Sequence, residues 1–188
     1  KRSELPIWIT AAANPETFKF AGSIGANILT HFLGQSLVEL KDKIALYRQT
    51  LAEHGFDPDA GKVTLMLHTF MAKDHQQAMD MVEKPFKDYL RSSINLLLPV
   101  AQSNGLDAKE DLDAVVEAGF QRYSKSSALF GTPESRLGLM NELADIDVNE
   151  IACLIDFGVE QQAVIDNFSQ IGRLKDLLQG TTLAPQVV

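Results

Sequence analysis

The sequence predicts an α/β fold built on a parallel sheet, and three observations carry the prediction. Four short, continuous apolar runs (residues 5–11, 26–32, 63–71 and 150–157) read as strands covered on both faces. Segments with the three-and-four apolar spacing of amphipathic helices lie between them. Two of those helices open on the same signature, a capping residue followed by proline: Asn14-Pro15 and Thr132-Pro133.

Taken in order, residues 5–11 form the first strand and run into a turn at Ala12-Ala13-Asn14. Asn14 caps a short helix that starts at Pro15 and stops before Gly25. Residues 26–32 are the second strand, punctuated by Gly34. From Ser36, Leu37, Leu40, Ile44, Tyr47 and Leu51 make the stripe of an amphipathic helix that Gly55 closes. After the turn Asp57-Pro58-Asp59-Ala60-Gly61, residues 63–71 are the third strand. Asp74 caps a helix that Pro85 is expected to interrupt, with a second helical stretch reaching about residue 100.

Ser103-Asn104-Gly105 breaks the chain, and Asp107 is read as the cap of a helix carrying Leu112, Val115, Val116 and Phe120 on one face. Residues 123–127 read as a polar loop. The helix from Pro133 ends near residue 146, residues 150–157 are the fourth strand, and residues 159–178 are helical with a break near Asn167. The tail, residues 180–188, is expected to be loose. The order is β-α-β-α-β, a long helical insert, then β-α. Four such units fit a small open sheet or half of a (β/α)8 barrel, and periodicity leaves both open.

Composition narrows the function classes. The chain has 188 residues, 45% hydrophobic and 22% charged, ordinary for a globular domain with a sizeable core. A net charge of -8 argues against a nucleic-acid partner and against an anionic membrane surface. The strongest apolar run, near residues 94–100, is too short to cross a bilayer. Lys1-Arg2 is followed by only a short apolar stretch, so no signal peptide is expected. The single cysteine, Cys153, excludes an internal disulfide, suits a cytoplasmic protein and is expected in the core.

The run from Leu5 through Ala11-Ala12-Ala13-Asn14-Pro15-Glu16-Thr17 to His31 resembles the fifth and sixth strands of the bacterial luciferase-like flavin monooxygenases. The segment with Tyr47-Arg48 and then Glu53-His54-Gly55-Phe56-Asp57-Pro58 is similar to that family's next helix and turn. Val63-Thr64-Leu65-Met66-Leu67-His68-Thr69-Phe70 is similar to its seventh strand. Phe130-Gly131-Thr132-Pro133-Glu134 resembles the start of its last helix pair, and Ile151-Ala152-Cys153-Leu154-Ile155-Asp156-Phe157-Gly158 its eighth strand. The details resemble most the subgroup attached to nonribosomal-peptide and polyketide pathways.

The resemblance implies the C-terminal half of a (β/α)8 TIM barrel, about four parallel strands with helices and a helical insert, with residues 1–188 as one incomplete domain. It implies reduced FMN at the C-terminal ends of the strands, with a deazaflavin as the other option, and oxygenation of a natural-product intermediate by O2. The substrate is then a small molecule, free or tethered to a carrier protein. A separate flavin reductase would supply reduced cofactor. The first four strands of the barrel are not in this sequence, so the chain is expected to be a fragment, inactive alone, that pairs with the missing N-terminal half or with a second copy. A non-catalytic flavin-binding or structural relative is the alternative. An unrelated small α/β phosphate-binding domain is the third reading.

Three places carry the site. The turn after the first strand holds Ala11, Ala12, Ala13, Asn14 and Thr17, which the resemblance places at the FMN phosphate. Small side chains allow close backbone approach, and a helix N-terminus favours an anion. Glu16 in the same first turn works against that unless it points away. Thr30 and His31 end the second strand, where cofactor or substrate contacts are expected. His68, on the third strand, matches a histidine near the active site of the alkanesulfonate branch. There an arginine stands two positions earlier; here Met66 does, which argues against a sulfonate substrate. Imidazole titrates near neutrality, so His68 and His31 are the candidates for acid/base work, against the plain alternative of core histidines. The four histidines, His31, His54, His68 and His75, match no metal-ligand spacing, and no metal is expected. Asp156 and the acidic stretch 107–113 read as solvated, and the methionines as packing residues. The insert, residues 90–127, lies where the family varies over its site and is read as a substrate lid.

Overall fold

The computed structural model describes residues 5–32, 34–93, 98–107 and 110–182. The chain divides into two compact units, one formed by residues 1–67 and 142–153 and the other by residues 68–141 and 154–188.

In the first unit, three strands pair in parallel in chain order: β1 (Trp8–Thr10), β2 (Asn27–His31) and the first part of β3 (Val63–Met71). The register sets Trp8 opposite Asn27, and Leu29 and His31 opposite Thr64 and Met66. β5 (Glu150–Leu154) also pairs with β3. Helices α1 (Pro15–Ser23) and α2 (Leu37–Glu53) supply the crossovers that parallel strands require.

Strand alternation decides what is covered. Ile28, Thr30, Val63 and Leu65 are buried with Leu40, Ile44, Tyr47 and Leu51 of α2. Asn27, Leu29 and His31 alternate with them and are only half-buried. Ser36 and Glu39 form a reciprocal capping box at the start of α2. Tyr47 donates its hydroxyl proton to the Ala26 carbonyl at 2.8 Å, and its burial raises the phenol pKa. The phenol lies over Gly61, where a Cβ would stand 2.1 Å from the Tyr47 oxygen, so that turn accepts only glycine.

The second unit is built on α3 (His75–Ser92) and α5 (Leu112–Ser126), together with α4 (Leu98–Ser103) and α7 (Gln161–Thr182). The end of β3 pairs in parallel with β4 (Leu129–Gly131), Thr69 opposite Leu129 and Met71 opposite Gly131. Helix α6 (Pro133–Asp145) follows β4. Phe86 is fully buried, and the rings of His68, Tyr89, Phe120, Tyr123, Phe130 and Phe157 stand 4.9 to 6.4 Å from it or from one another. Arg136 is buried among carbonyl groups: its guanidinium donates to Phe130 O at 2.6 Å, Ser124 O at 2.9 Å and Lys125 O at 3.3 Å. A planar five-donor fork satisfies three main-chain acceptors at the end of α5 and along β4 in one stroke.

Several boundaries differ from the sequence reading. A fifth strand, β4, was not predicted; three residues give no periodicity to read. β1 is shorter than residues 5–11, and β5 stops at Leu154 rather than at residue 157. Pro85 does not interrupt α3, because Ala78, Val82, Phe86 and Leu90 recur every four residues and pack the helix along its whole length. Helix α5 is flanked by Asp111, while Asp107 receives the Glu110 amide at 2.9 Å, and the helix runs on through the predicted loop to Ser126. Helix α7 shows no break at Asn167, whose amide folds back on Ala163 O at 2.9 Å, and it extends to Thr182. The rest of the predicted loose tail, residues 183–188, lies outside the described residues, as do residues 94–97 of the insert. Cys153 is exposed on β5 rather than in the core. An apolar run marks a strand without saying which of its residues are covered.

Candidate functional site

The βα turn of the first unit takes its shape from hydrogen bonds inside it. Ala11 is buried, and its N–H is spent on Leu29 O at 2.9 Å, extending the β1–β2 ladder by one residue. Ala12, Ala13 and Asn14 are exposed. Asn14 sits at the N-cap in an extended conformation, and its Oδ1 accepts the Glu16 N–H at 3.0 Å. Its oxygen being used this way, the Asn14 amide group that remains is the NH2, a pure donor. Thr17 is half-buried, and its N–H goes to Asn14 O at 3.2 Å. Glu16 turns along the helix to Lys19, 2.8 Å away, so its charge is countered locally. Apart from Ala11, the turn offers exposed main chain, an amide donor and a hydroxyl at a helix N-terminus. That is a donor set an anion can use.

At the end of β2, Thr30 and His31 point to opposite faces. Thr30 is 1% exposed, and its hydroxyl accepts from Gln35 Nε2 at 3.0 Å. The residue read as a cofactor contact is engaged inside the unit. The same Gln35 amide donates to His31 O, and Gln35 Oε1 accepts from Lys43 Nζ at 2.8 Å. His31 is half-buried and registers with Met66. Gln35 and Lys43 were missed in the sequence. The signal was there: a lysine standing inside the α2 apolar stripe beside Leu40, Ile44 and Tyr47.

In the second unit, His68 is 3% exposed, edge-on to Phe86 and Tyr89 with ring centres at 4.9 Å and to Phe157 at 5.6 Å. Burial raises the Tyr89 phenol pKa and pushes Tyr123 up to about 12, so both hydroxyls stay protonated near neutrality. His68 therefore sits in an aromatic cage that also contains un-ionised phenol.

The remaining candidates are dispersed. His54 closes α2 with its Nδ1 2.9 Å from Thr50 O, and His75 is exposed at the start of α3. Among the described residues no group of three His, Cys, Asp or Glu is placed to hold a metal ion. Asp156 is exposed. No described helix is long and apolar enough to cross a membrane.

Against this geometry, comparison with known proteins gives a consistent result. The family described as luciferase-like monooxygenase matches residues 1–166. Monooxygenase RslO1 from Streptomyces bottropensis superposes with a TM-score of 0.65 at 16% identity, over 92% of this chain and 48% of its own. The coenzyme F420 dependent tetrahydromethanopterin reductase from Methanopyrus kandleri gives 0.65 at 15% identity, over 92% and 52%. The oxygenating constituent of 3,6-diketocamphane monooxygenase from Pseudomonas putida, a complex with FMN, gives 0.59 at 18% identity, over 89% and 45%. At these identities the superpositions establish the fold, and this chain spans about half the length of each of these structures. Comparison with the sequences of curated proteins returns no match.

Proposed function

Because the chain belongs to the luciferase-like monooxygenase family, we propose that it is the C-terminal part of a flavin-dependent monooxygenase that uses reduced FMN and O2 to oxygenate a natural-product intermediate. The observation that carries this reading beyond family membership is the donor set of the βα turn. The N–H groups of Ala12 and Ala13, the Asn14 NH2 and the Thr17 hydroxyl would hold the phosphate of the flavin. Glu16, drawn off by Lys19, leaves them room to do so. Ala11 contributes by lacking bulk, since its own N–H is committed to the sheet.

When bound, the flavin supplies the redox chemistry with O2; the protein supplies binding, orientation and exclusion of water. His31 lies on the face of β2 opposite the helix-packed Thr30, and we assign it to the ring of the flavin or to substrate. His68, in a cage that includes the Tyr89 ring, is assigned to proton handling near substrate. Thr30 is assigned to support of His31 rather than to direct contact. Helices α4 and α5 belong to the insert and are read as substrate cover. A separate reductase, a substrate free or tethered to a carrier protein, a cytoplasmic setting, and completion of the barrel by an N-terminal half or a second copy all belong to the same proposal. Deazaflavin F420 is the competing cofactor, since structural relatives that share the fold carry it in their names.

Titration of the protein with FMN and with F420, followed by native mass spectrometry and by oxygen uptake with reduced FMN, tests the reading. Saturable FMN binding with O2-dependent product formation supports it. F420 binding with no O2 dependence replaces the monooxygenase by a deazaflavin oxidoreductase. Flavin bound without turnover of any substrate by the full-length protein indicates the non-catalytic relative.

A further inference from the structure

Lys43 is 8% exposed, and Gln35, which receives its ammonium at 2.8 Å, is 2% exposed. Burying an ammonium against a single neutral amide among the described residues costs desolvation, and the α2 stripe would accept leucine or methionine at that position without it. The arrangement does one thing an apolar residue cannot do. Lysine only donates, so the Gln35 amide must turn its oxygen toward Lys43 and its NH2 toward β2. The two N–H groups of that NH2 then reach Thr30 Oγ1, at 3.0 Å, and the His31 carbonyl. Thr30 tolerates either orientation of the amide, since a hydroxyl both donates and accepts. The His31 carbonyl tolerates only one. The orientation is thus set from behind by Lys43 and used in front by His31.

We propose that Lys43 and Gln35 are positioning residues for His31: they clamp the last main-chain unit of β2 from the helix side and thereby hold the imidazole on the opposite face. This rests on the oxygenase reading for its catalytic meaning, but the clamp itself is a property of the first unit. The turn that follows makes such a clamp necessary, because Gly34 has φ +78 and the chain leaves the sheet directly after His31. Carbonyl, hydroxyl, amide and ammonium form one line from strand end to helix, and the Gln35 side chain of the intervening loop is its middle link.

Two variants separate positioning from mere packing. Gln35→Glu keeps an acceptor for Lys43 and removes the NH2 that His31 uses. Lys43→Met keeps the volume and frees the amide to turn over. The His31 ring 13C–1H signal, assigned by its loss in His31→Gln, is expected to move or double in both variants while the far-UV circular dichroism stays unchanged. In the completed barrel, flavin-dependent turnover is expected to fall about tenfold in kcat with KM held within about twofold, the pattern of a misplaced group rather than of lost binding. A folded Gln35→Glu protein whose His31 signal and kcat match the parent overturns the proposal, whatever becomes of Lys43→Met. If the parent, joined to the half that completes its barrel, shows no flavin turnover, the oxygenase reading fails, and the His31 signal alone still decides the clamp.

Discussion

Trp8 on β1 donates its indole N–H to the Thr64 hydroxyl on β3 at 2.9 Å, reaching across the whole width of β2. Thr64 passes its own proton to Glu150 of β5 at 2.9 Å, and Lys62 closes the line on the other Glu150 oxygen. Trp8 is the chain's one tryptophan, so its fluorescence reports this line alone. Thr64→Val leaves the indole N–H and the carboxylate each short of a partner. It is expected to cost about 1–2 kcal/mol, to shift Trp8 emission to the red and to raise acrylamide quenching.

Glu150 gives the same line a pH dependence. Hydrogen bonds from Lys62 first, and then from Thr64, hold its carboxyl below the ordinary value of 4.5. A carboxylate whose folded pKa is depressed contributes stability above its unfolded pKa, and loses that contribution as pH falls through the folded one. Because Glu150 is more than one-third exposed, solvent screening keeps the effect small. Trp8-detected thermal melts should lose midpoint as pH falls below about 4.5, and Glu150→Gln should flatten that slope. A parent and variant with parallel pH profiles would remove Glu150 from the account.

Phe86 is the hub of the second unit, with no exposed surface and ring contacts to Tyr123, Phe130, Phe157 and His68. Phe86→Ala should destabilise by about 3–5 kcal/mol, and Phe86→Leu by much less. Urea unfolding measures both. A Phe86→Ala cost near 1 kcal/mol would mean that the cluster collapses into the space, contrary to a packed core.

Arg136 makes a different demand. Burial lowers its pKa, yet it stays charged, and it donates to three main-chain carbonyls. Arg136→Met strands those acceptors and should cost about 3 kcal/mol, while Arg136→Lys keeps the charge, loses the fork and should fall between. Hydrogen exchange should show the loss first at the last turn of α5, around Ser124 and Lys125.

Asn14 links fold to proposed cofactor. Asn14→Asp preserves the cap on Glu16 and replaces the NH2 by a charged acceptor, whereas Asn14→Ala removes both. The alanine variant should lose about 1 kcal/mol of stability. Both variants should weaken FMN binding, and the aspartate variant more, since it sets an anion against a phosphate. Equal FMN affinity in parent and aspartate variant would take Asn14 out of the proposed phosphate site.

How much of this was legible in the sequence depended on range. β3 was readable residue for residue because eight apolar and β-branched residues, with His68 among them, sit between a turn and an Asp cap. The α1 cap was readable because Asn14-Pro15 is a local signal. β4 was not, since three residues become a strand only by pairing with Thr69–Met71, about sixty positions away. Pro85 misled because its local effect on a helix is real but was outweighed by the packing of Phe86 and Leu90. In the candidate site, the residue types were visible and their orientation was not. Thr30 and His31 are neighbours in sequence, and only the alternation of the sheet shows that they cannot serve the same face.

The first unit is discontinuous: Asn149 receives the Val63 N–H through its side chain and returns its own N–H to the Val63 carbonyl, across eighty-six positions of chain. On a ribosome, β1, β2 and β3 leave the exit tunnel long before β5 is made. Until then the edge of β3 that awaits β5 stays open. The whole span 68–141 must be synthesised first, so this unit closes late and slowly. During that interval the nascent chain presents a bare apolar strand edge, and its safe passage depends on what occupies that edge first.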